Sequence, residues 1–295
     1  MSLPLIVIVG PTAMGKSNLA IEIAKKYNGE VVSADSWMVR KRLDIGTAKP
    51  TLDERREVPH HLIDIIEPYA DFSAAEYKKL AMEQISDIHK RGKLPILAGG
   101  SGLYIDSVIY DYSFLGPADP KFRQQLNNMT LEELIKFASD KGLDVASVDV
   151  RNKRRVIRLI ESDGGVASKG QLRQNTLVIG MTESSEFIKK RIVDRVEKMI
   201  NLGLEDEVKQ LNLDYGWDCE GLKGIGYSEW KLYFEGNQNL DITKERIIKD
   251  TIALAKRQHT WFKRNKSIQW FTTPVNLTDL DAIITTLLNK KASVY

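Results

Sequence analysis

The sequence predicts an α/β protein: a parallel sheet flanked by helices, its core interrupted by an all-helical insertion domain. Three observations carry this. Leu3-Pro-Leu-Ile-Val-Ile-Val9 is a continuous β-branched run, the pattern of a strand buried on both faces. Runs of this kind then alternate with amphipathic helical stretches through about Tyr112, which implies crossover connections and a doubly wound core. From about 113 to 173 no convincing strand occurs, and Thr176-Leu-Val-Ile-Gly180 then returns to a core-type strand. The core is therefore expected over 1–112 and 174–295, and the insertion over 113–173.

Each element has a local reason. After the first strand, Gly10 to Ser17 forms a glycine-bounded turn, and an amphipathic helix runs to about Tyr27, where Asn28-Gly29 stops it. Glu30-Val-Val-Ser33 is a second short strand. A polar stretch containing Gly46 and Pro50 leads to a short strand near His61 to Ile65. Ser73-Ala-Ala-Glu76 is a capping box, opening a helix to Arg91 that Gly92 ends. Leu94-Pro-Ile-Leu-Ala98 is a buried strand ending in Gly99-Gly-Ser-Gly102. In the insertion, Asp119-Pro120 places proline in a first helical turn, Thr130-Leu-Glu-Glu133 is another capping box, and Asp149 is expected to cap a helix from about Val150 to Ser162. A long helix follows from about Ser185 to Leu202. The C-terminal part adds a helix near Thr243 to Lys263 and a strand near Ile268 to Phe271.

Composition excludes more than it identifies. The 295 residues are 42% hydrophobic and 28% charged, a globular balance that argues against a disordered chain or a coiled coil. Lys plus Arg number 43 against 40 Asp plus Glu, so the net charge of +3 does not by itself announce a nucleic-acid binder. Basic residues can still cluster locally. The single cysteine, Cys219, rules out an intramolecular disulfide or a thiolate zinc cluster and fits a reducing, cytoplasmic setting. The longest apolar run is too short to cross a bilayer, so no membrane association is expected. A monomer is the default expectation.

The strongest motif is Gly10-Pro-Thr-Ala-Met-Gly-Lys-Ser17, a full match to G-x-x-x-x-G-K-[ST] between a buried strand and a helix. This makes the core P-loop NTPase-like. Glycines let backbone amides curl around phosphate oxygens, and the helix N-terminus adds partial positive charge. Gly10, Thr12, Ala13, Met14, Gly15, Lys16 and Ser17 are the candidate phosphate-binding residues. Lys16 supplies a full charge, and the Ser17 hydroxyl is the candidate ligand for Mg²⁺. The motif points to a di- or triphosphate without choosing the bond that breaks. A nucleotide hydrolase usually ends a second hydrophobic strand in an acid that serves Mg²⁺. Here that strand ends Ile96-Leu-Ala-Gly-Gly100, which disfavours a motor or GTPase and leaves a small-molecule kinase open. Asp35, just past the second strand, is either a turn residue or a functional acid at the ligand crevice.

Further segments resemble one family. Ser33-Ala-Asp-Ser36, Asp44-Ile-Gly-Thr-Ala-Lys-Pro50, Pro59-His-His-Leu-Ile-Asp64, Phe72-Ser-Ala-Ala-Glu-Tyr77, Gly99-Gly-Ser-Gly-Leu-Tyr104, Asn152-Lys-Arg-Arg-Val-Ile-Arg158, Ile225-Gly-Tyr-Ser-Glu229 and Ala255-Lys-Arg-Gln-His-Thr-Trp-Phe262 look like motifs of the tRNA dimethylallyltransferase family, in family order. The resemblance spans nearly the whole chain. It implies transfer of a dimethylallyl group from dimethylallyl diphosphate to N6 of adenosine 37 in the tRNA anticodon loop, with the diphosphate in the P-loop. It implies Asp35, Ser101 and Lys16 as catalytic residues, with Asp35 accepting the amine proton. It implies tRNA contacts at Asp35, Ser36, Trp37, Met38 and Ser101, and at Arg123, Arg154, Arg155 and Arg158. Arg151, Arg154, Arg155 and Arg158 recur at i, i+3, i+4 and i+7, one helical face, which by spacing alone is either a solvated surface or an RNA contact. Lys256, Arg257, Lys263, Arg264 and Lys266 form a second basic zone, in which Trp261 and Phe262 are expected to be core packing. His60 and His61 are expected to be structural.

Three positions depart from the family pattern. Met38 stands where the family has glutamine and cannot make an amide's paired hydrogen bonds to a base edge. Ser185 stands where an arginine helps to hold diphosphate. Arg40 is a charge gained, and the paired loss and gain leads to the expectation that it compensates at the catalytic crevice. Competing readings are an AMP prenyltransferase, a P-loop kinase, and a divergent, low-activity or non-catalytic tRNA-binding relative. The helical insertion with its arginine face favours a macromolecular acceptor.

Overall fold

The computed structural model of the protein describes residues 3–116, 119–165 and 167–289. The chain divides into two compact units, Met1–Ile109 with Leu172–Tyr295, and Tyr110–Gln171. In the first, β1 (Leu5–Val9) is buried at every position. It leads into α1 (Lys16–Tyr27), which Asn28 ends in a left-handed conformation. β2 (Gly29–Ser33), α2 (Leu52–Glu57), β3 (His60–His61), α3 (Ala74–Lys90), β4 (Leu94–Gly99) and α4 (Gly102–Ile109) follow. The Ser73–Glu76 capping box of α3 is formed in both directions, an arrangement whose loss costs about 1 kcal/mol.

After the second unit, β7 (Thr176–Thr182), α8 (Ser185–Asn201), α9 (Leu204–Tyr215), α10 (Lys231–Phe234), α11 (Leu240–Lys263), β8 (Ile268–Thr272) and α12 (Leu277–Asn289) complete the first. The six strands run parallel in the order β3-β2-β4-β1-β7-β8. β1 is therefore central, with Val7 level with Leu97 on one side and Val178 on the other. Ile6 and Ile8 share one core with α1 and α12. A second core joins Ile192 and Val196 of α8 to α9, Trp230 and α11. Every strand of the sheet points its C-terminal end the same way, so the segments after β1, β2 and β4 converge on one edge, where ligands bind in such sheets. Among the described residues, no helix is long and apolar enough to cross a membrane.

The second unit contains β5 (Tyr110–Ser113), α5 (Pro120–Asn128), α6 (Leu131–Asp140), α7 (Lys153–Glu161) and β6 (Ser168–Leu172). Its own core gathers Leu126, Leu134, Ala138, Val156, Ile157 and Ile160. The expectation of an all-helical insertion needs correction, because β5 and β6 pair as a two-stranded ribbon. β6 reads Ser-Lys-Gly-Gln-Leu and is exposed over four of its five residues, so it carries no apolar period. Asp149 does not cap α7. Asn152 does, through the Arg155 amide, while Asp149 accepts the Arg151 amide and pairs with its guanidinium. Arg151 therefore precedes the helix and is not part of its face.

Other differences are local. The strand expected to reach Ile65 stops at His61, because Leu62 and Asp64 adopt positive φ. α2, α4, α9, α10 and α12 were not anticipated. α2 does carry a signature, since Thr51 and Glu54 form a capping box.

Candidate active site

The P-loop connects the central strand to α1. Gly10, at φ 147°, passes beneath β7, where a Cβ would lie 2.6 Å from the Met181 carbonyl oxygen. Gly15, at φ 84°, opens α1 without any side-chain cap, and the first turn of α1 holds no acid. The helix N-terminus thus keeps its amides and partial positive charge for a ligand. A cavity of about 730 Å³ opens here, lined by Thr12 through Asn18, Asp35, Met38, the loop around residues 44–55, and Arg191, Arg195 and Lys198. Gly10, expected among the phosphate contacts, is buried and does not line it. Its part is the close approach to β7.

Lys16 Nζ donates to the Pro11 carbonyl at 2.7 Å. Burial pushes its pKa down to about 8; Asp35 opposes that shift and Arg195 adds to it. Arg195 donates through Nη1 to Thr12 Oγ1 and through Nη2 to the Thr47 carbonyl, each at 3.1 Å. Burial lowers its pKa too, against the pull of Asp35. Arg191, Arg195 and Lys198 recur at i, i+4 and i+7, so α8 turns a cationic stripe toward the P-loop. Sequence reasoning missed this stripe. Its signal was the basic spacing on the helix that follows the strand beside β1.

A second cavity, of about 580 Å³, is lined by Asp35, Ser36, Trp37, Ser101, Tyr104, Arg257, Gln258 and Trp261, among others. Thr12, Asp35, Thr47, Gly100, Arg195 and Met199 line both cavities. Asp35 Oδ1 accepts the amides of Trp37 at 2.8 Å and Met38 at 3.3 Å, which fixes the carboxylate at the junction. Met38 lines the P-loop cavity and not the second one, unlike its neighbours Ser36 and Trp37. Trp261 is half-buried against Gly102 and lines the second cavity, so only Phe262 of that pair is pure core packing. Gln258, also unforeseen, accepts the Thr12 amide at 2.8 Å across 246 residues and so links the P-loop to α11.

Arg40 is a correction. It lines neither cavity and is buried, with Nη1 donating to the Pro68 carbonyl at 2.8 Å and the Ala70 carbonyl at 2.7 Å. The backbone at Arg40 pairs with Ile66, which points the side chain into the 67–70 turn rather than the crevice. The cations beside the P-loop come from α8 instead: Arg191, Arg195 and Lys198.

His61 Nε2 meets Glu30 at 2.7 Å and His60 Nδ1 meets the Val58 carbonyl at 2.7 Å. Among the described residues no group of three or more His, Cys, Asp or Glu could hold a metal. In the second unit, Arg154 and Arg155 are exposed on α7. Arg123 binds the buried Glu161 carboxylate through two nitrogens, and Arg158 reaches the same carboxylate and the Leu115 carbonyl.

A family model described as "IPP transferase" matches residues 38–265. The tRNA dimethylallyltransferases of Bacillus licheniformis and Bacillus subtilis are 40% and 41% identical over 291 residues, covering 93% of this chain and 93% of each relative. The crystal structure of a tRNA isopentenylpyrophosphate transferase from Bacillus halodurans superposes with a TM-score of 0.77 at 36% identity, covering 99% of both chains. A eukaryotic dimethylallyltransferase acting on tRNA gives a TM-score of 0.78 at 26% identity, over 98% of this chain and 78% of that one.

Proposed function

This chain belongs to the IPP transferase family, and we propose that it transfers a dimethylallyl group from dimethylallyl diphosphate to N6 of adenosine 37 in a tRNA anticodon loop, releasing diphosphate. The observation that carries the reading is Asp35 at the junction of a phosphate-type cavity and a second, aromatic-lined one. The donor's diphosphate takes the P-loop amides of Ala13 to Ser17, Lys16 and Arg195. Lys16 leaves the Pro11 carbonyl to meet it. The adenine enters the second cavity, which Tyr104 and Trp261 help to line; an anticodon-loop base costs little to extrude.

The exocyclic amine is a weak nucleophile because its lone pair is delocalised into the ring. As its nitrogen bonds to the allylic carbon, the carbon–oxygen bond breaks and diphosphate leaves with the electron pair. The amine proton passes to Asp35 as the new bond forms. Lys16, Arg195 and the P-loop amides stabilise the charge growing on the leaving oxygens.

Magnesium is part of the proposal. The Ser17 hydroxyl is a hard oxygen donor at the α1 N-terminus, and no acidic cage surrounds it among the described residues. That donor set fits a cation held mainly by phosphate oxygens and water. Bound there with Ser17, it supplies further charge neutralisation to the leaving group. Arg154 and Arg155 serve as phosphate contacts for the tRNA, and the enzyme works as a monomer in the cytoplasm.

The experiment is transfer of label from dimethylallyl diphosphate, with unmodified tRNA and AMP as acceptors side by side. Label in tRNA and none in AMP is the expected result. Label in AMP alone moves the substrate to a free nucleotide, and no label with folded protein leaves a non-catalytic relative. Asp35→Asn is expected to lose transfer by at least about 100-fold, in the range of a general base, while still binding diphosphate.

A further inference from the structure

The loop of residues 44–50 walls both cavities, and one carboxylate from a distant helix holds its first turn. Glu207 of α9 accepts three consecutive backbone amides of that loop. Asp44 N lies at 3.0 Å and Ile45 N at 2.8 Å from Oε2, and Gly46 N at 3.1 Å from Oε1. Oε1 also accepts the Tyr227 hydroxyl at 2.7 Å. Successive amides converging on one anion make a concave nest, and an ionised acceptor strengthens each bond. Gly46 is required for this approach, since a Cβ there would stand 2.5 Å from the Tyr227 ring.

The same turn leads to Arg195. Thr47 Oγ1 donates back to the Leu43 carbonyl at 2.5 Å, and the Thr47 carbonyl receives Arg195 Nη2. The other end of the guanidinium is on Thr12 in the P-loop. A guanidinium carries its donors in a rigid plane, so its acceptors set its orientation. One of the two acceptors belongs to the P-loop, and the other belongs to the turn that Glu207 holds. Glu207 itself lines neither cavity. The far end of the loop has its own brace: Lys49 Nζ meets the Arg40 carbonyl, Asp44 Oδ1 and Asp64 Oδ1 at 2.5 to 2.7 Å. Loss of Glu207 therefore loosens the turn without releasing the whole loop.

We infer that Glu207 is a positioning residue for the diphosphate site. Its carboxylate fixes the 44–47 turn, the turn fixes the Thr47 carbonyl, and that carbonyl aims Arg195 across the P-loop. The inference rests on the proposed function in one respect, that the anion Arg195 meets is a diphosphate.

A double-mutant cycle on the full chain tests it, read by calorimetric binding of inorganic diphosphate to wild type, Glu207→Gln, Arg195→Lys and the double variant. Glu207→Gln is expected to weaken binding roughly tenfold in wild type and less than about twofold in the Arg195→Lys background, the non-additivity of residues acting through one another. A merely structural role lowers the folded fraction and leaves the affinity of what is folded unchanged. Unchanged affinity, or additive effects, overturns the inference. If Glu207→Gln does not fold, Tyr227→Phe removes one bond to the same carboxylate and keeps the ring; additivity in its cycle with Arg195→Lys overturns the inference equally. Coupling in a protein that prenylates no tRNA would sink the proposed function alone. Transfer to tRNA with an additive cycle would sink this inference alone.

Discussion

Ser101 Oγ accepts the Ser36 amide at 2.9 Å and donates to Ser36 Oγ at 3.2 Å. This pair ties the end of β4 to the turn after β2, next to the carboxylate of Asp35. A position in neighbouring strands thus becomes a position for the candidate base. Ser101→Ala leaves the Ser36 amide without its partner, at a cost of about 1 kcal/mol in stability. Transfer to tRNA is expected to fall by about 10- to 100-fold, since small displacements of a reacting group are costly. Ser101→Thr keeps the hydroxyl and is expected to keep activity. Steady-state kinetics alongside urea unfolding checks both, and equal activity in Ser101→Ala and wild type would contradict the role.

Lys16 gives the site a pH dependence of definite sign. Its folded pKa of about 8 lies below the ordinary lysine value, so the free protein loses this charge as pH rises through about 8. Diphosphate affinity is expected to fall between pH 7 and 9, with proton uptake on binding in the upper part of that range. The Lys16→Ala variant, titrated in parallel, subtracts the ionisation of diphosphate itself. A difference between the two that stays flat with pH would refute the assignment. For stability the sign runs the other way. Between about 8 and the unfolded lysine value of 10.5 the unfolded chain binds more protons, so the contribution of Lys16 to stability rises with pH there.

Arg40 separates stability from function. Its guanidinium satisfies the Pro68 and Ala70 carbonyls and lies 5.7 Å from the Trp37 ring. Arg40→Ala strands those carbonyls and is expected to destabilise the protein by about 2–4 kcal/mol. Diphosphate affinity of the folded variant should stay within about twofold of wild type. A tenfold drop in affinity with stability unchanged would return Arg40 to the catalytic crevice.

Arg154 and Arg155 are exposed on α7, whereas Arg123 and Arg158 are drawn onto Glu161. Replacing Arg154 and Arg155 by alanine is expected to weaken tRNA binding. The slope of log affinity against log salt should become shallower by about 0.7–0.9 for each tRNA phosphate that is no longer neutralised. Electrophoretic or fluorescence titration from about 50 to 200 mM salt reads this directly. An unchanged slope would make the two arginines ordinary solvated surface.

Several local signals were legible, although the Thr51–Glu54 capping box and the Asn152 cap, equally local, were passed over. The P-loop needs a glycine turn between a buried strand and a helix, and every part of that is written within Leu5 to Tyr27. The capping boxes at Ser73 and Thr130 likewise depend on residues three apart. β6 escaped because pairing with β5, and not an apolar face, makes it a strand. Arg40 was misplaced for a related reason. The paired loss at Ser185 and gain at Arg40 pointed to the crevice, but the Pro68 and Ala70 carbonyls take its guanidinium.

By itself, then, the amino-acid order determined the parallel α/β core and the P-loop turn with Lys16 and Ser17, and offered Asp35 as a turn residue or a functional acid beside it. Tertiary structure alone decided which cations face that cradle and what holds them. Arg195 meets Thr12 across 183 residues, Gln258 meets it across 246, and Glu207 closes on the 44–46 amides across 161 to 163. Hydrogen bonds act over about 3 Å and have no sequence period, so partners this far apart become visible only when the sheet order brings their segments to one edge.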